Sequence, residues 1–140
     1  MTNPFQLHPR LQQDCIVLGR FKLCQLLLMN DAHYPWLILV PERVGLSEIY
    51  QLNKNEREQL GEESAYLAES LARHYHADKM NIAAIGNLVP QLHIHHVVRY
   101  QTDPAWPAPI WGKFAALPYS PSALEKTVAD IKQLLNLDND

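Results

Sequence analysis

The chain is short of cysteine, of positive charge and of long apolar runs, and each shortage excludes a class of protein. It has 2 cysteines in 140 residues and no Cys-x-x-Cys pair, which argues against a disulfide scaffold and a cysteine-based zinc site. Its net charge is −3 and its 12 Lys and Arg residues are spread out, so no basic stripe exists to hold a nucleic-acid backbone. Cys15 and Cys24 lie in apolar stretches, as expected of small buried side chains in a reducing compartment.

Membrane-spanning and targeting patterns are also missing. Apolar runs such as LLLM at residues 26–29 are far too short to cross a bilayer. The first 14 residues, MTNPFQLHPRLQQD, have neither the basic head nor the apolar core of a signal peptide. We therefore expect a soluble, cytoplasmic protein.

The length and composition suit one globular domain with one core. Hydrophobic residues make up 47% of the chain and charged residues 19%, and we find neither a repeat nor a low-complexity linker. The order of the elements predicts an α+β domain with a mainly antiparallel sheet. The predicted elements are strands 14–19, 21–29 and 36–40, a helix from Asn53 to about residue 75, strands 79–85 and 90–99, an irregular loop 101–119, and a last helix capped at Ser120 or Ser122.

Local signals predict where several of these elements begin and end. Gly19-Arg20 predicts the turn of a hairpin between the first two strands. Asn53, followed three residues later by Glu56, is typical of a helix start. Pro41 is expected to end the third strand, because proline cannot donate a ladder hydrogen bond.

Three of the seven histidines fall within four positions of the stretch PQLHIHHVV, residues 90–98. Side chains alternate along a strand, so Gln91, His93 and His95 share one face and His96 points to the other. Four interpretations of this row are open: exposed polar residues, a His-x-His metal site, phosphate chemistry, and a nucleotide-binding module without chemistry. A neutral imidazole is a nucleophile near pH 7, and a second imidazole can donate a hydrogen bond to a phosphoryl oxygen.

Residues near this row bear on the choice. Gly86-Asn87, in the connection before it, can bring backbone N–H groups close to a phosphate. Arg99 shares the face of His93 and His95 by alternation and could also meet a phosphate. The metal interpretation needs a third ligand, and no Asp, Glu, Cys or further His stands at a suggestive spacing.

The run from Gly86 to His95, GNLVPQLHIH, resembles the signature of the histidine triad (HIT) family. That signature is Gly-Gln-Ser/Thr-Val-x-His-φ-His-φ-His-φ-φ, with φ any apolar residue. Three further stretches are similar to the family in the same order: LLLMNDAHYPWLILVPER, LSEIYQLNKNE and AWPAP. The chain is therefore identified as a divergent HIT member. The resemblance implies a HIT-like α+β fold, a five-stranded, mainly antiparallel sheet with two main helices, in one domain over residues 1–140.

The resemblance also implies an activity and a set of site residues. Family members hydrolyse or transfer nucleotides at an α-phosphate, with dinucleoside polyphosphates and nucleoside phosphoramidates among the substrates. Here His93 would attack phosphorus and form a nucleotidyl-histidine intermediate, and His95 would hydrogen-bond a phosphoryl oxygen. Gln91 takes the place of the first triad histidine. The nucleotide-binding residues would be Gly86, Asn87 and Val89 beside the phosphate, and Asn30 or Asp31 at the ribose.

The sequence departs from the family pattern at three positions. Gln91 can donate and accept hydrogen bonds but cannot carry a proton on and off. Leu88 replaces a Ser or Thr hydroxyl, and Val44 replaces a histidine after the third strand. We predict a nucleotide hydrolase or nucleotidyl transferase that acts on a purine nucleotide or conjugate, as a homodimer without metal or cofactor. The rival hypotheses are a nucleotide-binding HIT protein without turnover and a His-x-His metal-binding protein.

Overall fold

The computed structural model describes residues 4–137, which form an α+β domain around a five-stranded sheet. In chain order the elements are α1 (Pro9–Asp14), β1 (Cys15–Arg20), β2 (Cys24–Met29), β3 (Trp36–Pro41), α2 (Lys54–Tyr75), β4 (Lys79–Ala83), β5 (Ile94–Arg99) and α3 (Pro121–Leu134). The strand order in the sheet is β1-β2-β3-β5-β4, and every neighbouring pair is antiparallel. This architecture confirms the predicted fold class.

The two faces of the sheet are covered by different parts of the chain. On one face, apolar side chains of β2, β3 and β5 pack against α2 and α3 in a leucine-rich core that includes Leu67 and Ile131. On the other face they pack against α1, the segment before it and the 101–119 loop, in a cluster that includes Trp36 and Val97. Successive side chains of a strand point to opposite faces, so each strand contributes to both cores. β3 is buried at every position, as its unbroken apolar run predicts.

Both main helices begin where their sequences indicate. The Asn53 side chain accepts a hydrogen bond from the Glu56 N–H at 2.8 Å, and the Glu56 carboxylate accepts one from the Asn53 N–H at 2.9 Å. At the start of α3 the Ser120 hydroxyl accepts from the Ala123 N–H at 3.2 Å, and Pro121 takes the first helical position. None of the helices within residues 4–137 is long and apolar enough to span a membrane.

The hairpin turn between β1 and β2 is displaced from its predicted place. Gly19 and Arg20 lie inside β1, beside a register shift between Val17 and Gly19, and the connection falls on residues 21–23. An irregularity of this kind accommodates an extra residue in the strand. Gly19 therefore pairs with β2 and is not part of the turn. β3, by contrast, ends at Pro41 as predicted.

The strands around the histidines are shorter than predicted. β5 begins at Ile94, later than expected, so Gln91 and His93 lie in the segment that enters the strand. β4 ends at Ala83, earlier than expected. The six-residue helix α1 was not predicted, because one and a half turns are too few to show a helical period.

Candidate active site

His95 lies on β5, which runs between β3 and β4, and His93 lies in the segment that enters this strand. Their imidazole rings meet edge-on with centroids 4.9 Å apart, and the two residues are 6% and 8% exposed. A cavity of about 410 Å³ opens beside them. It is lined by Ile85, Gly86, Asn87, Leu88, Val89, His93, His95, Trp111 and Gly112. The predicted nucleophile, the predicted phosphate donor and the predicted phosphate loop therefore line one pocket.

The ring of His93 is oriented by a backbone carbonyl. Its Nδ1 lies 2.8 Å from the carbonyl oxygen of Gln91. Because a carbonyl can only accept, Nδ1 carries the proton of the neutral ring and Nε2 carries the lone pair. An imidazole in this tautomer can attack an electrophile through Nε2.

His95 is enclosed by two tryptophans. The indole Nε1 of Trp36 donates to Nδ1 of His95 at 3.0 Å. The ring centroids of Trp36 and Trp111 lie 5.6 Å and 5.4 Å from that of His95. Burial above all, and then the neighbouring imidazoles of His93 and His96, lower the pKa of His95 to about 3. The ring is therefore neutral near pH 7.

His96 points to the opposite face, into the core beneath α2. It is fully buried, with Nδ1 3.1 Å from the Ile94 carbonyl oxygen and Nε2 2.7 Å from the Ser64 hydroxyl oxygen. Nδ1 therefore donates and Nε2 accepts, so the protein itself satisfies both nitrogens. Burial lowers the pKa of His96 to about 4. This histidine has a structural role, on the face that strand alternation predicts for it.

The side-chain amide of Gln91 bonds to the segment before α1. Its Oε1 accepts from the His8 backbone N–H at 2.8 Å, and its Nε2 donates to the Gln6 carbonyl at 2.9 Å. The side chain thus pairs with the backbone of that segment much as a neighbouring strand would. Since the carbonyl of the same residue orients His93, Gln91 connects the N-terminal segment to the support of the candidate nucleophile.

The loop that precedes the histidines requires its glycine. Gly86 has a φ of +67°, in the left-handed region, and a Cβ there would lie 3.1 Å from the Val89 carbonyl oxygen. Leu88 is 84% exposed, at the position where the family signature has a hydroxyl. Asn87 is also exposed and lines the cavity beside it.

Asn30 and Asp31 do not line the histidine pocket. The Asn30 side chain accepts from the Tyr119 N–H at 3.0 Å, and Asp31 Oδ1 accepts from the Leu117 N–H at 3.3 Å. Asp31 is buried, and the same oxygen lies 2.7 Å from Nδ1 of His33. These bonds fasten the end of the long loop to the turn between β2 and β3.

Both predicted ribose contacts instead line neighbouring cavities. Asn30 lines one of about 390 Å³, and Asp31 lines one of about 110 Å³ that shares Trp111 and Gly112 with the histidine pocket. Within residues 4–137, the Tyr34 hydroxyl and the Trp111 indole N–H are the buried side-chain polar atoms that lack a hydrogen-bond partner. Both residues line the 110 Å³ cavity, which therefore has unused hydrogen-bonding groups in its wall.

Arg99 lies on β5 as predicted, but its guanidinium is turned into the protein. It is 1% exposed and binds both carboxylate oxygens of Asp103, at 2.8 and 3.1 Å. It also donates to the Asn81 side chain at 2.7 Å and to the Ala108 carbonyl at 2.9 Å. Arg99 anchors the 101–119 loop and is not among the residues that line the histidine pocket.

The contact between Trp36 and His95 has no counterpart in the sequence-based predictions. Trp36 is buried, as expected of a residue in an apolar strand, but its indole N–H also reaches a candidate site residue. The two residues are 59 positions apart, and the pairing of β3 with β5 brings them together. No local pattern in the sequence indicates which strands become neighbours.

The two histidines do not form a metal-binding site with other described residues. Within the described part of the chain, no group of three or more His, Cys, Asp or Glu side chains is placed to hold one. His93 and His95 each commit Nδ1 to a protein group and have only Nε2 left. Two nitrogens are fewer than the three protein ligands of a typical catalytic zinc site.

The five-stranded sheet and the histidine row on an internal strand define a protein of the histidine triad class. The HIT domain family matches residues 10–102, and the chain belongs to this family. No curated protein matches the chain. The family and the fold predicted from the sequence are thus confirmed, and they support a function of the nucleotide-binding or hydrolase type.

Three solved structures are similar to this chain over nearly its whole length. A histidine triad protein from Marinobacter aquaeolei is 49% identical, with a TM-score of 0.92, and the match covers 94% of this chain and 96% of that one. A histidine triad protein from Sinorhizobium meliloti is 40% identical, with a TM-score of 0.90 and coverage of 93% and 96%. A histidine triad protein from Bradyrhizobium japonicum is 39% identical, with a TM-score of 0.89 and coverage of 92% and 96%.

Proposed function

We propose that this protein cleaves nucleotides or nucleotide conjugates at an α-phosphate, as a hydrolase or nucleotidyl transferase, through a covalent intermediate on His93. One observation carries the proposal: the hydrogen bond from His93 Nδ1 to the Gln91 carbonyl leaves the lone pair on Nε2 of a ring that lines the 410 Å³ cavity. The neutral ring of His95 stands beside it as a hydrogen-bond donor. Membership of the HIT family supports a purine nucleotide as the substrate class.

The proposed reaction has two displacement steps at phosphorus. In the first, the Nε2 lone pair of His93 forms a bond to the α-phosphorus, and the bond from phosphorus to the leaving group breaks. The leaving group takes the bonding electrons and a proton from solvent, because Gln91 has no proton to give. In the second, water attacks phosphorus and loses a proton to solvent, the bond to Nε2 breaks with its electron pair returning to Nε2, and mononucleotide is released. Another nucleophile in place of water gives transfer.

Neutral donors in the pocket stabilise the charge that develops on the phosphoryl oxygens. His95 supplies one donor, and the Gly86-Asn87 segment, which lines the same cavity, supplies backbone N–H groups. The positive φ of Gly86 supports this role, since it allows the backbone to approach a ligand without a side chain in between. Donors held in place before the reaction are worth more in a buried site than in water.

The edge strand β4 supports the proposal of a homodimer. β4 ends the sheet order, and within residues 4–137 it pairs with β5 alone. Ile82 on this strand is 49% exposed. A sheet edge with an apolar side chain can pair with the same edge of a second copy. Ile82→Lys is expected to shift the molecular mass measured by light scattering from dimer to monomer.

One observation favours a second candidate, a nucleotide-binding protein without turnover. The Gln91 amide bonds to the backbone of Gln6 and His8, and an amide does not take up or release a proton as an imidazole does, so the first triad position has no group for acid–base chemistry. The exposed Leu88 also offers no hydroxyl to a phosphate. Such a protein would bind mononucleotides and form no bond to His93.

Product release and protein mass together test the two candidates. The purified protein is incubated with dinucleoside polyphosphates, nucleoside phosphoramidates and adenylyl-amino acid conjugates, and released mononucleotide is measured. Intact-protein mass spectrometry under neutral conditions looks for one added nucleotidyl group. We expect His93→Ala to abolish both signals and His74→Ala, a change at an exposed histidine on α2, to keep them. Mononucleotide binding by calorimetry, with no release from any substrate, would overturn the enzyme proposal.

A further inference from the structure

The indole of Trp36 makes a direct hydrogen bond to His95 from a neighbouring strand. Trp36 Nε1 lies 3.0 Å from His95 Nδ1, and both residues are buried. Trp36 is the first residue of β3 and pairs with Val97, two positions beyond His95 on the same face of β5. Diagonal neighbours of this kind are within reach of a long aromatic side chain. The pairing register of β3 and β5 therefore places the two side chains in contact.

The chemistry of the indole determines the direction of this bond. An indole N–H can only donate, so Nδ1 of His95 can only accept. A proton on Nδ1 would place two N–H groups against each other at 3.0 Å. The neutral ring of His95 must then hold its proton on Nε2. The doubly protonated ring is opposed by burial, which lowers the pKa of His95 to about 3.

The neighbouring His93 is held in the opposite tautomer. Its Nδ1 donates to the Gln91 carbonyl, so its Nε2 has the lone pair. Two rings with centroids 4.9 Å apart thus offer different groups: a lone pair from His93 and an N–H from His95. A phosphoryl group needs both, because its phosphorus accepts a nucleophile while its oxygens accept a hydrogen bond. Two rings of the same tautomer would supply only one of these functions.

We infer that Trp36 is a positioning residue: its indole N–H holds the proton of His95 on Nε2 and so makes His95 the hydrogen-bond donor to the phosphoryl oxygen. The substrate in this statement rests on the proposed function, whereas the tautomer is a property of the resting protein. Trp111 also packs edge-on against His95, at 5.4 Å, but its own indole N–H has no partner within the described residues. Both tryptophans therefore contact the ring of His95, but only Trp36 of these two donates a hydrogen bond to it.

Nitrogen-15 NMR of the unmodified protein at pH 7 is the first test. We expect the His95 signals to show a protonated Nε2 and a bare Nδ1, with a scalar coupling across the hydrogen bond between Trp36 Nε1 and His95 Nδ1. The variant His95→Asn identifies the signals. A proton on Nδ1 of His95 would overturn the inference, whatever the activity of the protein.

Two matched variants form the second test. Trp36→Phe keeps an aromatic ring and removes the donor, and Trp111→Phe makes the same change at the ring that does not bond to His95. We expect the His95 Nδ1 signal to move toward that of a ring with two exchanging tautomers in Trp36→Phe and to stay in place in Trp111→Phe. We also expect kcat of Trp36→Phe to fall roughly 10–100-fold with little change in KM, as for other residues that orient an active imidazole.

The outcomes separate this inference from the proposed function. An unchanged His95 Nδ1 signal in folded Trp36→Phe would overturn the inference, and if that variant does not fold, the coupling in the unmodified protein decides. Lack of turnover in the unmodified protein would overturn the proposed enzyme and leave the tautomer result standing. Equal losses of kcat in the two variants would show that the ring contact, and not the hydrogen bond, supports activity.

Discussion

His95 and His96 are adjacent in the chain, and their comparison shows how a buried histidine differs from a site histidine. Both are buried and neutral, on opposite faces of β5. The protein bonds both ring nitrogens of His96, through the Ile94 carbonyl and the Ser64 hydroxyl. Among residues 4–137, the bond to His95 is at Nδ1, from Trp36, and the ring lines a cavity. The two residues are alike in burial and in the direction of their pKa shift. They differ in that His95 has a ring nitrogen, Nε2, that can bind a ligand.

The surroundings of the two residues follow the same division. The face that carries His96 is a leucine-rich core under two helices. The face that carries His95 is covered by a loop, a short helix and the N-terminal segment, which together leave several cavities. The cavity beside His95 lies where irregular chain, and not a long helix, covers the sheet.

Of the changes that compare the two faces of β5, His95→Ala is expected to have the largest effect, a loss of turnover. Removal of one donor to a developing negative charge costs about 10²–10³ in kcat. The matched change on the other face, His96→Ala, is expected to leave kcat per folded molecule within a few-fold of the original. Steady-state kinetics with the best substrate of the panel measures both. Similar kcat values for His95→Ala and the unmodified protein would show that His95 does not act as the donor.

For the free energy of unfolding, the order of the two variants should be reversed: His96→Ala should lose more stability than His95→Ala. His96→Ala leaves a cavity and an unpaired Ser64 hydroxyl in the core, so we expect the free energy of unfolding to fall by about 2–4 kcal/mol. His95→Ala, beside an existing cavity, should cost less. Urea unfolding followed by circular dichroism gives both values. The division between the two faces would be wrong if His96→Ala were the less destabilising change.

Acid should weaken the fold through the same two histidines. An unfolded histidine titrates near pH 6.5, whereas the pKa is about 3 for His95 and about 4 for His96 in the folded protein. The unfolded state therefore binds more protons below about pH 6.5, and the free energy of unfolding falls as the pH drops. The slope reaches about 1.4 kcal/mol per pH unit for each group.

Urea unfolding measured at several pH values between 7 and 5 tests how the free energy of unfolding depends on pH. In this range most carboxyl groups stay ionised, so their titration contributes little. The variant His95→Asn removes one of the two groups and should have a visibly shallower pH dependence than the unmodified protein. An equal slope in both proteins would mean that His95 titrates normally in the folded state, which contradicts its burial.

The smallest expected effect comes from Gln91→Ala. The change removes two hydrogen bonds, to the backbone of His8 and of Gln6, and should cost about 1–2 kcal/mol. Faster hydrogen exchange at the His8 amide would report the released segment. We expect turnover to change little, since the Gln91 backbone carbonyl still orients His93. A loss of turnover as complete as that of His93→Ala would show that the glutamine side chain takes part in the chemistry.

Features that depend on one stretch of chain could be predicted. The Asn53 cap, the buried run of β3 and the alternation of His93, His95 and His96 each arise within a few consecutive residues, and the structure has all of them. The predicted phosphate loop and the histidines come from one ten-residue run, so their meeting in one pocket follows from local chain direction. The six-residue α1 and the late start of β5 escaped prediction because short elements carry little periodic signal.

Features that join distant stretches could not be predicted. Arg99 was expected to face a ligand, but Asp103 and Ala108 of the folded loop surround its guanidinium. Asn30 and Asp31 were expected at the ribose, but their oxygens hold the end of the same loop. In each case the neighbour that the side chain meets comes from a distant part of the chain, which the local sequence does not indicate.

The sequence by itself determined which side of the strand each histidine takes, because the two-residue period of a strand is a local property of the backbone. Only the tertiary structure decided what each ring nitrogen bonds to. The Gln91 side chain hydrogen-bonds to His8 and Gln6, which are separated from it by 83 and 85 positions in the sequence. His95 accepts a hydrogen bond from Trp36, which is 59 positions away. Such contacts depend on the order of strands in the sheet and on how the loops pack over it. These are collective outcomes of burying the whole apolar surface, and no short stretch of sequence encodes them.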